Sequence, residues 1–278
     1  MIGRRSFLKF TGFVPVCLCC GPDGGAQAQE DETLLCTELV MPNFEESLKI
    51  AIDENPENDP IRENLPRSEA ISLYNKKWNP KRRLLNVSFL DEPAFIDKVI
   101  GYARGWEPHM GIRFRFGNSD ADILVSFEKG GSWSYLGTDS RYYAQRGRPS
   151  MNYGWFTAST SEEEFRRVTL HEFGHALSLV HEHSHPGGRI SWNEKAVFAH
   201  YAKQGWTEDD VRAQVFRKYQ LSQVNGSNYD PTSIMHYAID RRLVTDPVDA
   251  VGWNTQLSDL DKTTIAKLYP KKRTNLPK

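Results

Sequence analysis

The sequence predicts an α+β fold in which a small mixed sheet packs against helices, and three observations carry that expectation. Alternating and apolar runs over 84–90, 112–116 and 121–127 read as strands, with a helix over 92–106 between the first two. A strand, helix, strand, strand order places a crossover helix on a mixed sheet. Second, a helix beginning at Glu162 carries Leu170, Phe173 and Leu177 on one side and Val168, His171, Glu172 and His175 on the other. Such a helix belongs between two subdomains, with a cleft on its histidine side. Third, helix-start signals recur down the chain: Ser161 with Glu164, Ser191 with Glu194, Thr207 with Asp210, and Ser258 with Asp261. They open helices from Glu162, over 192–204, over 208–219 and up to about Leu268, and His185-Pro186-Gly187-Gly188 separates the first two.

The elements before and between these fall into place around them. A glycine turn at Gly130-Gly131 precedes Trp133-Ser134-Tyr135, and 150–156 is a further candidate strand. Ahead of Leu84 the chain changes character. From Glu30 to Asn64 eleven acidic residues face only Lys49 and Arg62, a net of −9. One helix over 43–54 is expected there, ended by Asn55-Pro56 and Asp59-Pro60. This stretch, 29–78, is read either as a solvated acidic linker or as a pro-segment covering the cleft with a carboxylate such as Asp53 or Asp59. The main domain is placed at 79–270 and a basic, solvated tail at 271–278.

With 278 residues, 39% hydrophobic content and no visible repeat, the chain can bury a full core. A net charge of −1 gives no nucleic-acid footprint, and no nucleic-acid partner is expected. At residues 1–28, Arg4-Arg5-Ser6-Phe7-Leu8-Lys9 precedes a modest apolar run and the small-residue sequence Ala26-Gln27-Ala28. This resembles a twin-arginine export signal, and implies cleavage near Ala28 and a periplasmic or extracellular location. The run is too short for a permanent membrane span. Cys17, Cys19 and Cys20 lie inside the leader, so only Cys36 would remain and packing plus metal must hold the fold.

The chemistry concentrates in His171-Glu172-Phe173-Gly174-His175 with His181 six residues on. Residues four apart on a helix lie about 6 Å apart along one side, so His171 and His175 can share one zinc ion at about 2.1 Å. Three imidazoles leave a fourth position for water, which is the arrangement of a catalytic rather than a structural site. Glu172, beside them, is positioned to act as a base.

The string from His171 to Pro186, together with Ser233-Ile234-Met235-His236-Tyr237, resembles the astacin family of metzincin zinc endopeptidases, over about 78–270. The resemblance implies a metzincin-like domain cut by an active-site cleft, zinc on His171, His175 and His181, and Glu172 as general base. It also implies Met235 as the hydrophobic turn beneath the metal and Tyr237 as a movable ligand that stabilises the oxyanion. Trp133, Ser134 and Tyr135 would be the edge strand that pairs with an extended peptide or protein substrate. A monomer is the expected state. One departure stands out: Ser178 occupies the place where the family has glycine, and a positive φ is predicted there, at a cost of roughly 1 to 2 kcal/mol.

Two other readings remain open on the sequence. Glu194 lies eighteen residues beyond His175, a spacing resembling gluzincin peptidases whose third ligand is a glutamate, although Ser191 offers Glu194 a capping role instead. Alternatively the zinc is structural in an exported, non-catalytic binding module, with Tyr237 or His183 closing the shell and Trp133, Tyr142, Tyr143 and Trp155 as contact surface. Arg241 and Arg242, just past Tyr237, are either ordinary surface residues or a preference for an acidic substrate residue.

Overall fold

Six short strands hydrogen-bond into one mixed sheet in the computed structural model, which describes residues 36–59, 76–117, 119–219 and 228–271. The expected leader and nearly all of the expected tail fall outside these residues. The strands are β1 (Cys36–Leu39), β2 (Leu84–Phe89), β3 (Arg113–Phe116), β4 (Ile123–Ser126), β5 (Ser132–Tyr135) and β6 (Met151–Asn152). Their order across the sheet is β1-β5-β6-β4-β2-β3. Only β5 and β6 pair antiparallel; the other neighbours are parallel. Parallel β2 and β3 require a long connection, and α2 (Ile96–Ala103) supplies it, as the strand-helix-strand pattern predicts.

The helices are α1 (Phe44–Glu54), α2, α3 (Asp139–Ala144), α4 (Glu162–Ala176), α5 (Glu194–Ala202), α6 (Glu208–Val211) and α7 (Asp259–Leu268). Their starts follow local hydrogen bonding. The Ser161 side chain accepts from the Glu164 amide, and Thr207 with Asp210 and Ser258 with Asp261 form reciprocal capping boxes. Ser191 behaves differently from its expected role. It donates to Asp249, and Asn193 caps α5 by accepting from the Ala196 amide. The strand expected over 150–156 shortens to β6, because Gly154 turns away under Gly130; a Cβ on Gly154 would stand 2.1 Å from the Gly130 carbonyl. The helix expected over 208–219 stops at Val211 and continues as one wide π turn, Arg212–Phe216.

Two elements had no clear sequence signal. Strand β1 lies inside the acidic segment, and α3 follows β5 in a stretch rich in tyrosine and polar residues. Both are held by long-range contacts. Asp139, wholly buried at the start of α3, accepts from Ser47 Oγ of α1 at 2.6 Å and pairs with Lys76 Nζ at 3.0 Å.

The two largest clusters of the apolar interior are separate, in line with the expected subdomains. One cluster, including Leu85, Val87, Trp106, Phe114, Phe165 and Phe173, joins the sheet to α2 and α4. The other joins α5, α6 and the segment after Tyr237 through Val197, Tyr201, Val211, Ile239 and Leu243. Large buried side chains of this kind contribute about 1.5–3 kcal/mol each, and no disulfide exists among the described residues to supplement them. Helix α4 is buried on both faces from Arg167 to Ala176, so its histidines approach the second cluster from the first.

Candidate metal centre and active site

Helix α4 turns its His171 and His175 to one side, and a Schellman turn returns the chain so that His181 meets them. Leu179 N–H donates to the Gly174 carbonyl at 2.9 Å and Ser178 N–H to the His175 carbonyl at 2.8 Å, with Ser178 between them at φ 71°. The positive φ predicted for Ser178 is therefore present. Two features accommodate a serine there. Its Oγ donates to the Lys76 carbonyl at 2.6 Å, and Gly137 leaves room, since a Cβ on Gly137 would lie 2.1 Å from that Oγ. Gly137 N–H in turn donates to the His175 carbonyl at 2.9 Å, tying β5's exit to the helix end.

The three imidazoles converge, with a ligand nitrogen of each within 4.8 Å of the others, all buried. His175 Nε2 and His181 Nε2 are 3.0 Å apart. His171 Nδ1 lies 2.8 Å from the Ile234 carbonyl and His175 Nδ1 2.8 Å from the Leu179 carbonyl. A carbonyl only accepts, so each Nδ1 carries the proton and each Nε2 presents a lone pair. His171 Nε2 is buried with no hydrogen-bond partner, an orphan that a cation would satisfy. Burial holds all three imidazoles below their ordinary pKa, in the neutral form that binds metal; His175 falls to about 4. The donor set fits zinc, and no further His, Cys, Asp or Glu joins the trio among the described residues.

Glu172 is fully buried beside this trio and neither carboxylate oxygen has a partner of hydrogen-bond geometry. Burial pushes its pKa up to about 8, against the pull of the nearby Cys36 thiol and the Arg167 charge. A cation on the histidines would pull it down again. Met235 packs beneath α4 at Gly174, where a Cβ would stand 2.3 Å from the Met235 sulfur. The turn that holds Met235 is fixed by Asp261, which accepts from Ser233 Oγ at 2.6 Å and Ile234 N–H at 2.8 Å. Tyr237 is buried with its ring 4.3 Å from the His181 ring, and its hydroxyl donates to the Cys36 carbonyl.

Strand β1 is the unexpected neighbour. It pairs parallel with β5 in the register Cys36 to Ser132, Thr37 to Trp133, Glu38 to Ser134 and Leu39 to Tyr135. Its buried residues alternate, so Cys36 and Glu38 face the interior together. Cys36 lies against Glu172, and Glu38 accepts the His181 amide at 3.3 Å, with its Oε2 3.8 Å from His181 Nδ1. The Tyr219 hydroxyl donates to the other Glu38 oxygen. Burial raises the Glu38 pKa while Tyr219, Arg217 and the His181 amide each lower it. Asp53 is exposed on α1 instead, and the carboxylate that the acidic segment brings to the histidines is that of Glu38, neither Asp53 nor Asp59 being grouped with them.

Several other expected residues lie apart from the trio. Glu194 is exposed in the first turn of α5 and outside the histidine group, which removes the gluzincin arrangement. His183 bonds the Gln214 carbonyl through Nε2 at 2.8 Å. Arg242 is exposed and paired with Asp240 at 2.7 Å. Trp133, Tyr135, Tyr143 and Tyr142 follow one another in ring contact, with Tyr143 stacked on Tyr135 at 3.9 Å, while Trp155 donates to Glu164. Sequence reasoning missed Asp261's second role, seeing only its helix cap, and missed Cys36, Glu38 and Tyr219, whose roles arise from pairing over long sequence separations.

Three histidines on a helix and its return, an unpartnered glutamate between them and a methionine floor define a zinc metallopeptidase centre. The sequence model of the astacin peptidase family matches residues 75–270, and the chain belongs to that family. It is a zinc-dependent metallopeptidase accordingly, and a peptide or protein is its substrate class. Among solved structures, one of myroilysin is 39% identical with a TM-score of 0.67, covering 72% of this chain and 98% of that one. A second crystal structure of myroilysin is 32% identical with a TM-score of 0.57, covering 87% and 93%. High choriolytic enzyme 1, a hatching enzyme zinc-protease of the medaka fish Oryzias latipes, is 19% identical with a TM-score of 0.50, covering 68% and 90%, a likeness of fold. No curated protein matches the chain.

Proposed function

We propose that the protein is an exported zinc endopeptidase with Glu172 as general base, made as a latent precursor whose acidic N-terminal segment covers the site. The observation that carries the chemistry is the pair of unpartnered, fully buried Glu172 oxygens beside three converging imidazoles. A buried carboxylate without partners costs several kcal/mol, and a bound cation plus a reacting water would offset that cost.

His171, His175 and His181 would hold the zinc ion. Zinc bound there supplies Lewis acidity toward water and the scissile carbonyl. Glu172 takes the proton from the attacking water and returns it to the leaving amine as the bond breaks. Tyr237, freed from the Cys36 carbonyl, donates its hydroxyl proton as a hydrogen bond to the carbonyl oxygen as negative charge grows on it. The edge of β5 at Trp133, Ser134 and Tyr135 aligns an extended substrate by strand addition. Met235 packs under α4 and keeps the ligand helix in place.

Latency follows from what occupies that edge. Strand β1 takes the β5 hydrogen bonds that a substrate needs, and Cys36 stands between Tyr237 and Glu172. The peptidase domain proper starts no later than Trp78, which is wholly buried and donates to the Ala176 carbonyl at 2.8 Å. Export rests on the leader sequence at 1–28; among the described residues no helix is long and apolar enough to cross a membrane.

Digestion of an unfolded protein mixture, with and without chelator, tests the reading, using the full-length chain and the chain matured with a trace of trypsin. Chelator-sensitive cleavage that rises on maturation is expected. Cleavage that survives chelation overturns the zinc mechanism, and equal activity before and after removal of β1 overturns latency.

A further inference from the structure

The sheet ends at β3 on the side away from β5, and a groove of about 690 Å³ opens there between the starts of β2 and β3 and the 3₁₀ turn Arg104–His109. Four strand spacings, roughly 19 Å, separate β3 from β5. Arg83, Arg104, Arg113 and Lys271 line the groove against one carboxylate, that of Glu107. Glu107 is already committed, since it accepts the Phe114 amide at 2.8 Å and lies 3.5 Å from Arg104. The other three cations have no carboxylate partner among the described residues. Arg83 donates to the Gly111 and Pro270 carbonyls and Lys271 to the Pro108 carbonyl, the Arg83 Nε is buried without an acceptor, and the Arg113 side chain meets none. One residue away the contrast is plain: Arg82 braces the fold by holding Asp122 at 2.6 Å and Glu54 at 3.3 Å.

The groove is also preset. Arg83 Nη1 reaches the Pro270 carbonyl at 2.9 Å across Gly111, where a Cβ would stand 2.3 Å from that nitrogen. Arg113 is held beside it, because its amide donates to the Arg83 carbonyl at 3.0 Å. We propose that this groove binds sulfate or phosphate ester groups of a polysaccharide, so that the enzyme is held on an anionic carbohydrate while its cleft stays free. A guanidinium is a planar fork that meets two oxygens at once. A tetrahedral ester offers three terminal oxygens, so two neighbouring arginines can share one group, whereas a carboxylate has two oxygens and fills one fork. Four cations against one committed carboxylate leave charge for more than one ester, which favours a polymer over a lone ion. Between the cations the walls are aliphatic, formed by Leu84, 42% exposed, with Pro108 and Met110. Such walls suit the C–H faces of sugar rings, and no aromatic ring lines the groove to stack nucleic-acid bases.

The test titrates the full-length, zinc-loaded protein calorimetrically with four dextrans of matched length: unmodified, carboxymethylated, sulfated and phosphorylated. Binding to at least one ester polymer is expected, about tenfold or more tighter than to the carboxymethylated polymer of equal charge, with none to unmodified dextran. The tighter of the two esters identifies the source of the group. Arg113→Ser is expected to weaken binding about tenfold and to lower the slope of log affinity against log salt by about one. Arg113→Lys keeps that slope while losing part of the affinity, because the charge stays and the fork goes. Arg212→Ser, which removes an exposed cation on the other side of the cleft helix in sequence, leaves affinity unchanged, and all three variants cleave a short uncharged peptide at the original rate. No binding to either ester polymer overturns the proposal, as does equal binding of the carboxymethylated polymer or an Arg212→Ser loss as large as that of Arg113→Ser. Duplex DNA of matched charge that binds as tightly as the esters, with the same dependence on Arg113, overturns the assignment to a polysaccharide.

Discussion

Two of the three histidines and the third are supported in different ways. His171 and His175 lean on backbone carbonyls of the peptidase domain, Ile234 and Leu179, which also set their tautomers. His181 has instead a carboxylate from β1 near its Nδ1, and reaches the others only through a turn that costs a positive φ at Ser178. The first pair is built into a helix and a braced turn. The third depends on loop geometry and on a segment from another part of the chain. A site of this kind can keep two ligands preorganised while the surroundings of the third change.

Removing a ligand gives the largest effect. His181→Ala is expected to lose stoichiometric zinc after dialysis, whereas Glu194→Ala keeps it; measured metal content that reverses this order would reinstate the glutamate ligand. Next comes the turn that delivers His181. Gly137→Ala forces a Cβ to within 2.0 Å of the Lys76 carbonyl at φ 44°, and is expected to cost about 3 kcal/mol or more in thermal or denaturant unfolding. On the braced side, Asp261→Asn weakens the hydrogen bonds to Ser233 and Ile234 that position the His171 partner carbonyl. A loss of about 2 kcal/mol and about tenfold in zinc affinity is expected, read by unfolding and competitive metal titration. Ser178→Gly is the mildest. Relief of a left-handed serine, about 1 kcal/mol, is set against loss of the bond to the Lys76 carbonyl, about 1 kcal/mol, so stability should change by less than that amount.

Much of the peptidase half was legible in the sequence because its signals are local. The His171-to-His175 spacing, the caps at Ser161, Thr207 and Ser258, and the alternation over 84–90 each act within a few residues. Even the strain at Ser178 was readable, through the family resemblance that puts this serine where a glycine is expected at the turn. What escaped is set by contacts far apart in sequence. Strand β1 is a strand because β5 offers an edge 96 positions away in the register Cys36 to Ser132, and the acidic composition around it argues for a linker. Ser191 satisfied a helix-start pattern, yet Asp249 competes for its hydroxyl 58 residues on. Gly137 carries no message until Ser178 and Lys76 are folded against it.

The most direct test of the central claim is Glu172→Gln in the matured, zinc-loaded enzyme. The substitution preserves shape and the three imidazoles but removes the base. Zinc is expected to remain at one ion per chain while peptide hydrolysis falls by about a hundredfold to ten-thousandfold. Hydrolysis that continues at the original rate, with zinc retained, would contradict the account.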